Sequence, residues 1–427
     1  MWKRRHFVTA LVGWTAGGAH AQFRVEISGI GATQWPLALE AFRGEAGAPV
    51  SPSAIIRADL ERSGAFRILG GPTGSTGSSG PDETSPLPQE ALRAVGADAW
   101  LAGSMSRLAD RSWDLRYRLW DVVKGQAHLA RSASVPAADL RLAAHRVADE
   151  IYEKMTGERG VFATRIAYVT RSGKQYALVI ADADGEGRQV ALSSSEPIIS
   201  PAWSPDGRSL AYVSFEQQKA SVWVQEVLTG KRTLVANFRG SNSAPAWSPD
   251  GRELALTLSR DAIAQLYVMP VSGGAPRRLI TSASIDTEPV YAPDGKSIFF
   301  VSDRGGGPQV YKIPASGGRV ERVTFKGNYN ISPAISPDGT LLAYVNRDAG
   351  AFKVTTLDLV NGTIQTLSDT NDDESPSFAP NGRLIMYASR SQGRDVLMTT
   401  TLDGRIKARL LTSGLDMREP AWGPYVR

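Results

Sequence analysis

Few residues in this chain could carry chemistry. There is no cysteine in the 427 residues, and beyond position 21 the only histidines are His128 and His145. Disulfides, thiolate nucleophiles and Cys-ligated zinc or iron–sulfur sites are therefore excluded. A His-rich metal site is excluded too, and a nucleophilic triad would have to use one of those two imidazoles. His145 falls within an amphipathic helical pattern and reads as an ordinary helix residue. No G-x-S-x-G elbow is present. Asp182-Ala183-Asp184-Gly185 starts like a calcium loop, but its twelfth position is Ser193 instead of Glu, and it falls where a hairpin between strands is expected. Gly74-Ser75-Thr76-Gly77-Ser78-Ser79-Gly80 lacks the Gly-Lys-Ser/Thr ending of a phosphate loop. The Asn-x-Ser/Thr matches at Asn330 and Asn361 are given no weight. The expectation is no catalytic residue, no cofactor and no metal.

What the sequence does carry is a repeat. Pro205, Pro249, Pro293, Pro337, Pro380 and Pro424 are spaced 44, 44, 44, 43 and 44 residues apart, each with a second proline four positions earlier. Two residues before each anchor stands Trp203, Trp247, Tyr291, Ile335, Phe378 or Trp422, and Asp-Gly or Asn-Gly follows the first five anchors. Pro presets φ, Asp or Asn bonds its own backbone, and Gly takes a positive φ, so each unit is a turn that feeds a short apolar strand. Such strands are expected at Leu210 to Ser214, Leu254 to Leu258, Ile298 to Ser302, Leu342 to Asn346 and Ile385 to Ser389. Third strands follow at Ser221 to Glu226, Leu266 to Pro270 and Gln309 to Ile313, with fourth strands as in Arg278-Leu279-Ile280. Four short antiparallel strands per 44 residues is the pattern of a β-propeller blade.

The ends predict closure. Ile166 to Thr170 matches a second strand with no first strand before it. Pro420 to Pro424 is a first strand with no second behind it. Pairing them gives six blades and no exposed edge. The expected architecture is an α/β N-terminal domain over residues 22–160 followed by an all-β six-bladed propeller over 161–427, closed by the C-terminal strand. In the first domain, strands are expected at Arg24 to Ser28, Leu37 to Ala41, Trp100 to Ser104 and Trp113 to Val123. Helices are expected from Ser53, as its cap, to Ser63 and from Leu140 to Met155. Residues 70–86, rich in Gly, Ser, Thr and Pro, read as a flexible loop.

Charge and termini set the compartment. The net charge of +5 falls to +2 without residues 1–21, which hold Lys3, Arg4 and Arg5 and no acid, so no nucleic-acid surface is indicated. Those residues form a basic start, an apolar stretch from Phe7 to Ala16 and an Ala19-His20-Ala21 cleavage site, a signal peptide expected to be removed. No later stretch is apolar enough to span a bilayer, and no cysteine follows the cleavage site to take a lipid. A monomer free in the periplasm, without membrane insertion, is expected.

Positions identical in all blades are architectural, and positions that differ between blades are open to function. The loops leading into the innermost strands differ: Ser241 to Ala244, Asp286 to Glu288, Asn328 to Ser332, Asn371 to Ser375 and Asp416 to Glu419. They are polar and ring the channel mouth, which suits a protein loop or a small polar ligand held by hydrogen bonds.

A resemblance sharpens this. SGAFRIL at 63–69, GADAWLAG at 96–103, LWDVVKGQ at 119–126 and above all AAHRVADEIYEKMTGERGVFATRIAYVT at 143–170, followed by the PAWSPDG repeats, resemble the TolB family of the Tol-Pal system. The similarity spans the mature chain except the loop 70–86 and the extreme mature N-terminus. It implies a non-enzymatic periplasmic adaptor that maintains the outer membrane and supports envelope constriction at division. Its mouth would bind the lipoprotein Pal through Asn242, Ala244, Thr287, Glu288, Asn330, Ser332, Asp373, Ser375 and Arg418. Its mature N-terminal segment, Gln22, Phe23, Arg24, Val25, Glu26 and Ile27 onward to about Gly31, would bind the C-terminal domain of TolA. The alternatives are a periplasmic propeller for a small polar ligand or metal, and the non-catalytic propeller of a hydrolase complex.

Overall fold

The computed structural model describes residues 27–28, 34–71, 80–410 and 415–425. Two bodies share the chain. The first is a five-stranded sheet ordered Phe66–Leu69, Trp35–Leu39, Ala99–Arg107, Trp113–Asp121 and Gln126–Val135, parallel across its first two pairings and antiparallel after that. Alternation divides its faces. Leu37, Leu39, Leu101, Leu115 and Leu119 pack with helices α1 (Pro52–Arg62) and α3 (Leu140–Thr156), while Ala38, Trp100 and Ala102 pack with Leu92 of the short helix α2 (Gln89–Ala94).

Several local expectations shift. The cap of α1 is Ser51, whose Oγ accepts from Ala54 N at 3.3 Å, with Pro52 in the first turn. Ser53 donates instead to Glu45 Oε1 at 2.5 Å. Residues 72–79 of the supposed flexible loop lie outside the described residues. Its later part is anchored, since Gly80 O accepts from Arg43 Nε at 2.8 Å and Asp82 pairs with Arg43. The strand expected at Arg24 to Ser28 is described only at Ile27–Ser28, and it joins the other body: Ile27 pairs with Ala408 and Ser28 with Lys407.

The second body is a six-bladed propeller. Blade 1 is Arg165–Ser172, Gln175–Asp182 and Gln189–Ser194, with Asp416–Trp422 of the C-terminus innermost. Blades 2 to 5 begin at Ile198, Asn242, Asp286 and Asn330, and blade 6 at Glu374. The closure expected from the two half-units is thus made by Trp422 against Ile166 and Ala421 against Ala167. The Pro-Asp-Gly turns act as their composition implies. Asp206 Oδ1 takes the Ser204 hydroxyl at 2.6 Å and Arg208 N at 3.0 Å, and Gly207 has φ of 69°. Two of the large residues before the turns stitch neighbouring blades together: Trp247 Nε1 donates to Ala202 O at 3.0 Å and Trp203 Nε1 to Ala421 O at 3.1 Å.

The joint between the bodies is rigid chemistry. Gly157 ends α3 with φ of 79°, and Asp149 of α3 accepts from Phe162 N at 2.7 Å and Ala163 N at 3.1 Å. A Cβ at Gly160 would stand 2.3 Å from Asp149 Oδ1, so only glycine lets the connector pass this close. Glu158 pairs with Arg383 of blade 6. The Arg159 guanidinium lies 3.7 Å from the Tyr425 ring centroid.

Candidate docking face at the propeller mouth

Every innermost strand breaks register in the same place, between Ile199 and Ala202, Ser243 and Ala246, Thr287 and Val290, Ile331 and Ala334, Glu374 and Ser377, and Arg418 and Ala421. At each bulge sits a non-glycine residue in the left-handed region: Ser200 (φ 53°), Ala244 (49°), Glu288 (50°), Ser332 (53°), Ser375 (53°) and Glu419 (54°). A proline follows each one. Proline has no N–H to lose from the ladder, so a bulge there sacrifices no donor. Left-handed non-glycine backbone costs about 1 to 3 kcal/mol per residue and collects at ligand clamps. Here it recurs six times around one channel.

That channel encloses about 760 Å³ and is lined by the six bulges together with Thr287 and Glu374. Its polar content is acidic: Glu288, Glu374 and Glu419 are half-buried in it. Glu288 Oε2 accepts from Ser332 N at 2.6 Å and Glu419 Oε2 from Ser200 N at 3.2 Å, so each carboxylate tethers the bulge of the next blade. Burial, with Glu374 and Glu288 nearby, pushes Glu419 up to about 7. Burial also raises Glu288 and Glu374. These carboxylates are held where their charge is poorly compensated.

The residues expected at the mouth divide into two kinds. Ala244, Glu288, Ser332 and Ser375 are bulge residues on the channel. Thr287 is half-buried beside them, its hydroxyl 3.4 Å from Thr257 Oγ1, and Arg418 is exposed and paired with Asp395. Asn242 and Asn330 are different, being 0% exposed. Asn242 Nδ2 donates to Ala220 O, Phe238 O and Gly240 O, and its Oδ1 accepts from Phe238 N. Both asparagines shape their own loops and present no surface to a partner. Ser200 and Glu419 were missing from the sequence-derived set, although alignment on Pro201 and Pro420 places them at the same repeat position. Of the proposed N-terminal segment, Gln22, Phe23, Arg24, Val25 and Glu26 lie outside the described residues, and Ile27 lies on the outer edge of blade 6.

A second charged cluster lies at the joint. His145, 0% exposed, reaches Asp59 Oδ2 through Nδ1 at 2.5 Å, and Arg62 Nη2 donates to Asp59 Oδ1 at 2.9 Å. From the propeller side, Asp182 accepts from Arg141 Nε at 2.8 Å, Asp184 pairs with Arg141, and both carboxylates stand 3.7 Å from His145 Nε2. The Asp182-Ala183-Asp184-Gly185 turn is indeed a turn, but its carboxylates clamp α3. Asp59, His145 and Asp184 are the one trio among the described residues whose ligand atoms lie within 4.8 Å of one another. Arg62, Arg141 and a protonated His145 already balance Asp59, Asp182 and Asp184, so a metal ion would meet neutralised carboxylates and two fixed cations. Burial alone would depress His145, but Asp59, Asp182 and Asp184 outweigh it and hold the imidazole at about 10. His128 pairs with Asp121 at 3.1 Å. Among the described residues neither histidine bonds a serine or threonine hydroxyl.

The chain matches two family models, the TolB amino-terminal domain over residues 23–128 and the TolB beta propeller domain over 152–426. It is 63% identical over 423 residues to the Tol-Pal system protein TolB of Polaromonas sp., covering 99% of this chain and 98% of the relative. The TolB of Albidiferax ferrireducens is 62% identical over 426 residues, covering 100% and 99%. The crystal structure of TolB from Acinetobacter baumannii superposes with a TM-score of 0.83 at 37% identity, over 94% of this chain and 99% of that one. The chain belongs to the TolB family, the non-catalytic β-propeller component of the Tol-Pal envelope system.

Proposed function

We propose that the protein is a periplasmic adaptor whose propeller mouth binds Pal and whose mature N-terminal segment binds the C-terminal domain of TolA, supporting outer-membrane integrity and constriction at division. One observation carries the docking reading: six left-handed bulges around an acidic channel whose carboxylates have few internal donors. A partner loop bringing N–H groups or cations into that channel would satisfy them, and the strain is already stored in the free protein. The basic and apolar start of the chain supports export. No helix among the described residues is long and apolar enough to cross a membrane.

The N-terminal part of the reading draws on the pairing of Ile27–Ser28 with blade 6. The two described residues lie on the outer edge of a sheet, a place from which a segment can be released and offered to a second protein. If Pal binding shifts that docked state, TolA binding shifts Pal affinity by the same free energy. The test is calorimetric titration of residues 22–427 with the soluble domain of the same organism's Pal, repeated with Thr287→Ala and Glu288→Ala. Binding by the wild type and a loss of about 1 to 3 kcal/mol on removing Glu288 are expected. Part of that loss would come through the Ser332 bulge that Glu288 tethers. A wild type that binds no Pal would sink the reading. Melting that responds to a small polar ligand without any protein would favour the ligand-binding alternative, which has the channel volume on its side.

A further inference from the structure

Blade 6 buries a carboxylate oxygen without a partner, and its sister blades show what is missing. The residue two before each bulge is buried in blades 3 to 6: Asn242, Asp286 and Asn330 are 0% exposed and Asp373 is 2% exposed. The first three are satisfied from within. Asn242 binds its own loop. Asn330 donates to Gln309 Oε1 at 2.8 Å and accepts from Asn346 Nδ2 at 2.7 Å. Asp286 takes the Ser282 hydroxyl at 2.7 Å on one oxygen and Arg304 Nη2 at 2.6 Å on the other. In blade 6, Asp373 Oδ1 accepts from the Thr370 hydroxyl at 2.5 Å, while Oδ2 has no partner among the described residues. The Ser389 hydroxyl, 2% exposed, has none either.

Blade 4 supplies the template. Asp286 pairs in register with Ser302, and Arg304 bridges the two, donating from Nη2 to the carboxylate and from Nε to Ser302 Oγ at 2.9 Å. In blade 6 Glu374 pairs with Ala388, which sets Asp373 opposite Ser389. The residue two beyond Ser389, which corresponds by count to Arg304, is Ser391, still in the blade 6 strand and paired with Arg394, whereas Arg304 lies in the turn after its strand. Blade 6 therefore holds the carboxylate and hydroxyl of blade 4 with the guanidinium removed. Both groups line a pocket of about 400 Å³ at the rim between blades 5 and 6, together with Tyr329, Phe352, Asp372 and Asp395. Arg390 and Arg418 also border it, but Arg418 is spent on Asp395, and neither reaches Asp373 Oδ2. Four carboxylates, counting Glu374, against the two guanidiniums of the lining leave the pocket negative, and of its two rings Phe352 already carries Arg347 at 5.5 Å while Tyr329 adds aromatic surface that suits a flat cation.

We propose that this pocket receives a cationic side chain, an arginine guanidinium or a lysine ammonium, from the protein that docks on the mouth, with Asp373 Oδ2 and Ser389 Oγ as its acceptors. The inference rests on the reading of the mouth as a protein-docking face and adds the chemistry of one contact. A pocket of this size is roomier than one inorganic ion requires, and the fold itself fills the equivalent place in blade 4 with a side chain.

Two variants test it in residues 22–427. Asp373→Asn removes the charge. Ser391→Arg supplies the guanidinium from within, as in blade 4. Each is titrated with the soluble Pal domain after its melting curve confirms folding, and wild type and variants are also melted with methylguanidinium, neutral methylurea, or calcium chloride alone. Expected are a loss of Pal affinity of about 10-fold or more in both variants and a methylguanidinium-dependent rise in wild-type melting temperature that both variants lose and methylurea never gives. Variants that bind Pal like the wild type would overturn the pocket and leave the docking reading standing. A wild type blind to Pal but stabilised by methylguanidinium through Asp373 would uphold the pocket while the docking reading failed. Calcium that stabilises the wild type through Asp373 and blocks methylguanidinium would overturn the side-chain assignment in favour of an inorganic ion.

Discussion

The joint and the mouth both bury charge, and they treat it in opposite ways. At the joint, Asp59, Asp182 and Asp184 face Arg62, Arg141 and His145, three anions against three cations when the imidazole is protonated. At the mouth, Glu288, Glu374 and Glu419 share a channel, each raised by burial, and Asp373 keeps an unpartnered oxygen. A balanced buried network fixes one arrangement of two bodies, because removing any member strands its partners. An unbalanced one is tolerable only beside water or a partner, and so marks a surface that is completed from outside. The joint is finished within the chain and the mouth is not.

The largest effect should come from setting isosteric changes in the two regions side by side. Asp59→Asn removes, at nearly the same shape, the carboxylate that pairs with Arg62 and the nearest of the three that face His145. A loss of about 3 to 5 kcal/mol in urea unfolding is expected. Asp373→Asn removes a charge that no cation among the described residues pairs, and should leave stability within about 0.5 kcal/mol of wild type or improve it. Equal losses in the two variants would erase the contrast.

The joint should next reveal itself as pH rises. His145 is held at about 10, above its ordinary 6.5. The folded state thus binds this proton more tightly than the unfolded state. Its contribution to stability is complete below about 6.5 and is lost as pH climbs through 10. Urea unfolding measured between pH 7 and 10 should show wild type weakening steadily, and His145→Gln, already destabilised, should show a much flatter profile. Asp149, pushed to about 6 by burial, changes on the acid side and does not confuse this window.

How much of this the sequence foretold follows from where each signal resides. The 44-residue spacing of prolines announced the blades, and the two half-units announced their closure, because turn chemistry is local and repeats five times. The left-handed ring was not foreseen: each bulge residue stands just before the first proline of its repeat, a position where extended backbone is the ordinary expectation. The local pattern misled at the start of α1: Ser53, the expected cap, is engaged by Glu45, and Ser51 caps the helix in its place. Strand Gln126–Val135 was missed because it is polar and mostly exposed, with no apolar alternation to announce it. His145 looked ordinary because its partners come from α1 and from a turn 37 to 39 residues downstream, and helical periodicity reports burial without naming what lies opposite. The open oxygen of Asp373 depends on Ser391 standing, by count, where blade 4 has Arg304, a difference visible in the repeat alignment only once register is known.

The smallest effect belongs to the mouth and runs on the other side of neutrality. Glu419 is raised from its ordinary value of 4.5 to about 7 by burial, with Glu374 and Glu288 adding to it. A raised acid gives its full stabilisation below about 4.5 and loses it as pH climbs through 7, so wild type should gain stability as pH falls from 7.5 to 5.5. The channel is open to water, which screens the carboxylates, and the gain traceable to this one group should be about 1 kcal/mol. Glu419→Gln keeps an acceptor for Ser200 N, cannot titrate, and should abolish that part of the slope while leaving the alkaline loss due to His145 untouched. Melting temperatures of both proteins at pH 5.5, 6.5 and 7.5 decide it. If Glu419→Gln retains the wild-type slope, the mouth's charge is compensated within the chain after all, and the contrast with the joint loses its second half.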